Sequence, residues 1–251
     1  MDINEVKGVG FNRHPWEISR TKNFIDDLKK IIDYNRPAKY LNIGSGDMYF
    51  DNVWINKFAR KHIVYAVDIG YGDNEIKKLS SKGKKLFHDI TDVKENDFDY
   101  IILMDSLEYM EDDEKYINLL KNKLKKSGKL IMTLPAFSRL YSEHDANVGN
   151  LRRYDRTEII KIINRCGLTM EQNHYFFFSL LMVRLFQKFF NFNYSSHEDV
   201  TTKWKYAKKS IITKMVIGVL DMDYYFCSLL SKIHFPGLSL LVVCKKRREI
   251  G

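Results

Sequence analysis

Cysteine and long apolar runs are both scarce in this sequence. Its three cysteines, Cys166, Cys227 and Cys244, are widely separated and odd in number. This argues against a disulfide framework or a zinc site and favours buried thiols in a reducing compartment. The most apolar stretch, residues 175–183, is interrupted by Arg184 and is shorter than the roughly 20 residues that cross a bilayer. The first residues lack a basic start followed by an apolar core, so we predict no secretion signal and a cytoplasmic protein.

Acidic residues are fewer than basic ones. The chain has 32 Asp and Glu against 41 Lys and Arg, a formal net charge of +9 in 251 residues. This balance favours an anionic partner such as a phosphate, a carboxylate, a nucleic acid or an acidic membrane. A lysine-rich solvated surface explains the same numbers equally well. The length and a hydrophobic content of 45% fit one α/β domain with a large core.

Apolar runs that alternate with helical stretches predict a mostly parallel sheet in a single domain over residues 1–251. An N-terminal helix is expected over 14–35, and Asp155 and Glu158 have the spacing of a capped helix start. A helical insertion is predicted over 179–236, and additions at such a position often cover a site or mediate association. The expected strands cover 40–43, 62–68, 84–88, 100–104, 129–134, 168–178 and 238–244.

Two glycines follow the first expected strand. Gly44 and Gly46 lack a β-carbon, so the main chain there can adopt positive φ and approach a ligand closely. The next strand ends in Asp68, where a carboxylate can accept both hydroxyls of a ribose. A third glycine, which a dinucleotide fingerprint needs, is absent, because Met48 and its neighbours occupy that region. The pattern therefore favours a ligand with adenosine but without phosphates.

The order of these motifs resembles that of class I S-adenosylmethionine-dependent methyltransferases, from about residue 14 to residue 245. The resemblance implies a Rossmann-like α/β sheet of seven strands, mostly parallel with an antiparallel last strand. It also implies S-adenosylmethionine as cofactor, S-adenosylhomocysteine as product and no metal. Asn42 departs from the family, which often has an acid there. The cofactor-binding residues that the resemblance implies are Trp16, Arg20, Asn42, Gly44, Ser45, Gly46, Asp68, Ile69, Asp89, Ile90, Asp105 and Ser106.

Trp16 and Arg20 are expected to cover the cofactor from the N-terminal helix, although ordinary packing and a surface ion pair explain them equally well. The insertion over 179–236 is expected to form a lid over the acceptor site. Core packing explains its many aromatic residues as well, and a surface that contacts a membrane remains an alternative.

A narrower resemblance, to a bacterial subgroup that tailors glycans or natural products, lies in the loop over 143–154. Its marks are a His-Asp pair, a glycine and Arg-Arg-Tyr. We expect His144 and Tyr154 to be catalytic, the histidine as a general base. Arg152 and Arg153 are expected to serve an anionic acceptor, one directed toward it and the other toward a structural acid. Structural bonds for the histidine and ion pairs for the arginines are the alternatives.

These residues predict an O-methyltransferase acting on an anionic small-molecule or peptide acceptor, with a carboxylate of a peptide or other natural product ahead of a glycan or lipid-linked sugar hydroxyl. A nucleic-acid acceptor ranks lower, because a compact aromatic and basic stripe is missing. A third alternative is a non-enzymic module that contacts a membrane through 179–236, with Lys203, Lys205, Lys208 and Lys209 contributing charge. The sequence makes no prediction of the oligomeric state.

Overall fold

The computed structural model describes residues 13–33, 35–58, 62–81, 83–190 and 210–247. The described residues form seven strands and eight α-helices, joined by short 3₁₀ turns and loops. The strands are β1 (Lys39–Ile43), β2 (Ile63–Val67), β3 (Lys84–Phe87), β4 (Phe98–Met104), β5 (Leu124–Pro135), β6 (Leu168–Phe176) and β7 (Ser239–Lys246). The helices are α1 (Pro15–Ile31), α2 (Tyr49–Phe58), α3 (Asp73–Leu79), α4 (Asp113–Lys123), α5 (Glu143–Asn147), α6 (Arg156–Arg165), α7 (Phe178–Phe189) and α8 (Ile211–Leu229).

All seven strands lie in one sheet, in the order β3-β2-β1-β4-β5-β7-β6. Strand β7 is antiparallel to both of its neighbours, β5 and β6, and the remaining pairs are parallel. The predicted sheet with an antiparallel last strand is therefore confirmed. Strands β1 and β4 and the second half of β5 are mostly buried, as expected for central strands that are covered on both faces.

The sheet separates two hydrophobic cores. One contains Ile117 and Leu120 of α4 together with Ile159 and Ile162 of α6. The other holds α1, α2 and α8 against the opposite face of the sheet. Since the carboxyl ends of parallel strands meet at one edge, the loops after β1, β2 and β4 converge there.

Helix α1 begins where the sequence indicates. Nδ1 of His14 accepts the backbone N–H of Trp16 at 3.2 Å, and Pro15 occupies the first turn, where its missing N–H is harmless. The helix is joined to α8 and β6 by a buried polar group. Asp27 accepts the Tyr224 hydroxyl at 2.7 Å and lies 3.3 Å from Nε2 of His174.

Several boundaries and one helix cap differ from the sequence expectations, and three of these differences have a clear cause. Strand β5 begins at Leu124, five residues early, because Leu124 pairs with Phe98 and is buried. Strand β6 ends at Phe176, since Phe177 adopts the left-handed conformation with φ 64° and starts α7. The backbone of Asp155 begins α6 as expected, but its carboxylate accepts the Ser138 hydroxyl and makes no capping bond. The predicted side-chain cap is thus wrong.

The predicted insertion contains α7 and α8. The residues between them, 191–209, including the four lysines from Lys203 to Lys209 named above, lie outside the described residues. No helix in the described ranges is both long and apolar enough to span a membrane.

Candidate active site

The turn after β1 contacts the end of β4 directly. Gly44 has φ +72°, and its N–H donates to the Val67 carbonyl at 2.9 Å. A β-carbon at Gly44 would lie 2.2 Å from Oγ of Ser106. That hydroxyl is fixed in place, because it donates to the carbonyls of Ile43 at 3.0 Å and Met104 at 3.1 Å. Gly44 is therefore required both by its backbone conformation and by the close approach of two strand ends.

Asp68 lies beneath the same turn. One carboxylate oxygen accepts the N–H of Gly46 at 2.7 Å and the other accepts the N–H of Gly70 at 2.9 Å. Gly46 has φ +51°. Each carboxylate oxygen can accept more than one hydrogen bond. These contacts therefore orient the group and leave each oxygen able to accept another hydrogen bond from a ligand. The sequence predicts that Gly46 and Asp68 line one ligand site, and in the structure the two residues are hydrogen-bonded to each other.

Met48 lies one residue before Tyr49, which stands where a dinucleotide fingerprint has its third glycine. Met48 has a left-handed backbone, with φ +62°, while its side chain is buried in the core that contains α2. Such a conformation costs a non-glycine residue about 1–2 kcal/mol. Burial of a methionine side chain contributes more than that, since its truncation typically costs about 2–5 kcal/mol. The left-handed turn before α2 is thus formed without a glycine at position 48.

Helix α1 reaches across the strand ends. Arg20 forms an ion pair with Asp105, which follows β4, and its guanidinium lies 4.3 Å from the ring centroid of Trp16. Asp105 also accepts the Thr133 hydroxyl at 2.8 Å, so β5 holds this carboxylate in place. Trp16 and Arg20 therefore lie beside the strand ends, and their expected role in covering the cofactor stays a prediction.

Glu17 and Arg13 are site residues that the sequence reasoning missed. Arg13 forms ion pairs with both Glu17 and Asp47, and so links α1 to the glycine turn. Burial raises the pKa of Glu17, while Arg13 opposes that rise. No local sequence pattern indicates this link, because Arg13 and Asp47 are 34 residues apart.

A cavity of about 30 Å³ lies between α1 and the turn after β1. Three buried polar atoms around it have no hydrogen-bond partner in the part of the chain that the structure describes: Oε2 of Glu17, Nε of Arg20 and Oδ1 of Asn42. Unpartnered buried polar atoms are costly, so they mark a place where a polar ligand is expected. The volume holds about one water molecule, and a larger ligand requires the side chains of α1 to shift. The cavity is lined by Glu17, Arg20, Thr21, Asn42, Gly44, Ser45, Asp47, Tyr49, Phe50 and Met104.

Asn42 stands where the family often has an acid, and an acidic side chain, Asp51, lies beside it. Asn42 donates through Nδ2 to Asp51 at 2.8 Å, and both residues are buried. Burial raises the pKa of Asp51 to about 7, although the hydrogen bond from Asn42 opposes the rise. Ser45 donates to the Asn42 carbonyl at 3.0 Å, which closes the turn. Asp51 was not predicted, since only the fold brings α2 against β1.

Residues 69, 89 and 90 follow β2 and β3. The side chain of Ile69 is 83% exposed, while Ile90 is buried. Asp89 begins a 3₁₀ turn and accepts both the N–H and the hydroxyl of Thr91, at 2.7 and 2.6 Å. These hydrogen bonds lower the pKa of Asp89. An exposed isoleucine is suited to contact the face of an aromatic base, and an ionised carboxylate is suited to contact a polar edge.

The loop over 143–154 differs from its expected role. Asp145 accepts Arg153 at 2.6 Å, Arg184 at 3.1 Å and the Ser142 N–H at 3.0 Å, and His144 is not among these partners. Although burial by itself raises the pKa of Asp145, the two arginines lower it overall. Asp145 therefore fixes arginines and does not orient His144, which is exposed and whose pKa is lowered by partial burial and by Arg184.

Of the paired arginines, Arg153 faces a structural acid as expected, while the role of Arg152 toward an acceptor stays a prediction. Arg153 is buried on Asp145 and on the Ala136 carbonyl, and Arg152 contacts Asp113 at 3.2 Å and the Glu111 carbonyl at 2.9 Å. Arg152 still has about a third of its side chain exposed.

The expected catalytic role of Tyr154 is not met. Tyr154 is fully buried in the core that contains α4 and α6, because its backbone bridges to Ala136 beside β5. A tyrosine held by this bridge contacts the core rather than an acceptor.

Glu108 is a further buried carboxyl close to this loop. Burial raises its pKa to about 8, although Arg20 and Arg153 oppose the rise. It is therefore protonated at neutral pH. Within the described ranges, no three His, Cys, Asp or Glu side chains are grouped so as to hold a metal ion.

A family model described as a methyltransferase domain matches residues 16–180. A search among curated proteins gives no match. Among solved structures, a Galdieria sulphuraria protein named as a sarcosine dimethylglycine methyltransferase superposes with TM-score 0.55 at 12% identity, covering 91% of this chain and 86% of its own. The cyclase SpnF gives TM-score 0.56 at 12% identity, with coverage of 92% and 81%.

Phosphoethanolamine N-methyltransferase 2 of Haemonchus contortus, in complex with S-adenosyl-L-methionine, gives TM-score 0.54 at 14% identity. The match covers 90% of this chain and 52% of that one. At such identities these likenesses show the fold alone, and a cyclase among them illustrates that one fold serves several reactions. The family match extends over more than half of the chain and includes the glycine turn, Asp68 and the end of β4. The chain therefore belongs to the methyltransferase domain family and is an S-adenosylmethionine-dependent methyltransferase.

Proposed function

We propose that this enzyme transfers a methyl group to an oxygen of an anionic acceptor, with a carboxylate of a peptide or other natural product as the first candidate. The observation that carries the proposal is the engagement of Asp145 by Arg153 and Arg184, which leaves His144 without the orienting carboxylate that a general base needs. An acceptor that arrives deprotonated needs no base. A carboxylate meets that condition at neutral pH.

The residues around the cavity fit S-adenosylmethionine. When bound, this cofactor supplies an electrophilic methyl group on a sulfonium. We assign Asp68 to the ribose hydroxyls, and Ile69, Asp89 and Ile90 to the adenine. Gly44 leaves room for the ligand beside Ser106.

The α-amino and α-carboxylate groups of the cofactor need charged partners. Glu17 has a buried carboxylate oxygen and Arg20 a buried Nε that are unpartnered within the described residues. We assign Glu17 to the ammonium and Arg20 to the carboxylate, because each then gains an opposite charge in a desolvated place. Glu17 replaces the acid that is missing at Asn42. Asn42, Ser45, Asp105 and Ser106 act as positioning residues that shape the turn and hold Arg20.

The acceptor needs alignment more than activation. Holding the acceptor oxygen in line with the sulfonium carbon supplies most of the acceleration that this reaction requires. Arg152 lies in the loop, Arg184 contacts it, and both keep some exposure, so they are the first candidates for holding the acceptor's charge. Two of the structural neighbours are named for dimethylglycine and phosphoethanolamine, small acceptors that carry an anionic group.

The stability of the product to base tests the proposal. We would incubate the enzyme with labelled S-adenosylmethionine and panels of peptide, glycan, amine and small-acid acceptors, then treat the products with mild base. A methyl ester releases methanol, whereas a methyl ether or an N-methyl group does not. Transfer of base-stable label only would contradict carboxylate methylation.

Replacement of the loop histidine separates the two oxygen acceptors. His144→Ala is expected to keep turnover within about threefold if the acceptor is a carboxylate, because no proton must be removed. It should lower turnover about a hundredfold or more if the acceptor is a hydroxyl. His234→Ala is the matched control, since His234 is also exposed and lies in the turn after α8.

The hydroxyl of a lipid-linked sugar is the second candidate. It is favoured by the exposed apolar side chains of α7 and α8, which suit an acceptor with a lipid tail. The same product assay distinguishes it, because its methyl ether survives base. A nucleic-acid acceptor would instead appear as steeply salt-dependent RNA binding.

A further inference from the structure

The outer surface of α7, α8 and the turn after α8 is apolar. Of the 21 large apolar side chains that are exposed in the described residues, 15 lie between residues 182 and 233, and each of these is more than 40% exposed. We call this set the apolar face. Monomeric soluble proteins rarely expose contiguous apolar patches larger than a few hundred Å². Its most exposed members are Phe189, Ile211, Met215, Met222, Tyr225 and Ile233.

The apolar face is a regular feature of α8. The side of the helix that packs on the protein carries Thr213, Leu220, Tyr224 and Cys227, all buried. The opposite side carries apolar residues at 211, 215, 222, 225 and 229, which recur at intervals of a helical turn. Helix α8 is thus apolar on both sides, as expected of a helix whose outer side is also covered by something other than water.

The acidic side chains of these helices point inward. Asp221 accepts Ser19 at 2.6 Å and Asn23 at 2.8 Å, both on α1. Asp223 accepts the N–H groups of Phe178 at 3.0 Å and Ser179 at 2.8 Å, which holds the start of α7. Asp221 also pairs with Lys22 of α1, so both carboxylates are engaged by groups outside the apolar side chains of α7 and α8.

The exposed charges on these helices are positive. Lys188, Lys214 and Lys232 are exposed, and no acidic side chain of α7 or α8 is exposed in the described part of the chain. An anionic surface complements this pattern, since each lysine gains attraction as the apolar side chains leave water. A second copy of the chain does not, because a two-fold contact sets the same lysines against each other.

We propose that the apolar face lies in the interface of an anionic lipid bilayer, with α7 and α8 parallel to the membrane plane. The face adjoins the active site. Arg184 of α7 contacts Asp145 in the acceptor loop, and Asp221 of α8 contacts α1 one residue from Arg20. Docking therefore places the acceptor loop near the lipid headgroups, where an amphiphilic acceptor is concentrated.

Vesicle flotation with the full chain tests this directly, without any methyl acceptor. One set of vesicles contains phosphatidylcholine only, and the other includes one-third phosphatidylserine. We expect the protein to float with the anionic vesicles at least about tenfold more than with the neutral ones, and flotation to fall as salt is raised. Wild-type protein that stays in the soluble fraction with both sets would overturn the proposal.

Two variants locate the contact. Phe189→Glu with Met222→Glu should weaken binding to anionic vesicles about tenfold or more, since each carboxylate must stay in water. Lys214→Glu with Lys232→Glu should weaken it about thirtyfold or more. Leu119→Glu is the matched control, an exposed leucine on α4 that should change nothing.

Circular dichroism and S-adenosylhomocysteine titration show whether each variant remains folded with an intact cofactor site. Equal loss of flotation in the Leu119 control would contradict the assignment to this face. Concentration-dependent dimers without vesicle binding would show that a second copy covers it. A monomer that binds neither vesicle type would show that another part of the chain, such as 191–209, covers it. Either result refutes the membrane proposal and leaves the cofactor assignment untouched.

Discussion

The substitution Gly44→Ala probes the closest contact in the active site. A β-carbon there meets Oγ of Ser106 at 2.2 Å and its Cβ at 3.1 Å, and φ is +72°. The backbone conformation costs alanine about 1–2 kcal/mol. Moving the Ser106 hydroxyl costs about 1 kcal/mol of net hydrogen bonding. Alanine also reduces the conformational freedom of the unfolded chain, which stabilises the folded state by about 0.5 kcal/mol. We expect a loss of about 1.5–2.5 kcal/mol in the free energy of unfolding, measured in urea.

The steric part of that loss can be isolated. In a Ser106→Ala background the 2.2 Å contact disappears, so Gly44→Ala should cost about 0.5–1.5 kcal/mol, a coupling of about 1 kcal/mol between the two sites. Gly149→Ala is the matched control: its φ is +83°, but its β-carbon would lie 3.5 Å from the nearest atom, in the ring of Tyr109. Gly149→Ala should lower the free energy of unfolding only by what the left-handed backbone conformation costs alanine.

Affinity gives a second readout of the same substitution. Because Gly44→Ala pushes apart the strand ends that form the cavity, S-adenosylhomocysteine affinity should fall about tenfold or more, while Gly149→Ala leaves it unchanged. If Gly44→Ala costs the same with and without the Ser106 hydroxyl, the two groups do not collide and the derived geometry is wrong.

Three further predictions concern buried charges. Asp27→Ala should lower the free energy of unfolding by about 3 kcal/mol in urea, because Tyr224 loses its buried partner. Although burial alone raises the pKa of Asp27, hydrogen bonds from His174 and Tyr224 lower it overall, so its contribution is present above pH 3.8 and the cost of the variant should shrink below that pH. Glu108→Gln should stabilise the fold by up to about 3 kcal/mol at pH 7 and by little at pH 4, since the folded state keeps a proton that the unfolded chain releases above its pKa of 4.5. A pH-independent effect would contradict this. Glu17→Gln should weaken S-adenosylhomocysteine binding about tenfold, with urea unfolding as the control for an intact fold.

The parts of the fold that the sequence predicts are those set by local patterns. Gly44 and Asp68 were identified because each follows an apolar strand, and the topology of parallel strands then brings them together. The antiparallel last strand came from the family resemblance and is confirmed. Strand β5 was predicted too short, since its first residues pair with Phe98 only in the folded sheet.

The parts that sequence reasoning missed depend on contacts between distant residues. Glu17 and Arg13 contribute to the site only because α1 crosses the strand ends. Arg153 and Tyr154 were given functional roles from a loop motif, but a motif does not indicate side-chain direction. The backbone bridge from Tyr154 to Ala136 turns the ring into the core, and Arg153 pairs with buried Asp145.

The central claim is that the cavity between α1 and the turn after β1 binds S-adenosylmethionine and its product. Calorimetric titration of S-adenosylhomocysteine into the wild-type chain tests it most directly. We predict one-to-one binding with measurable heat and no heat from a pyridine dinucleotide, because Tyr49 stands where a pyrophosphate site needs its third glycine. No heat from S-adenosylhomocysteine, with clean titration of the dinucleotide, would contradict the claim.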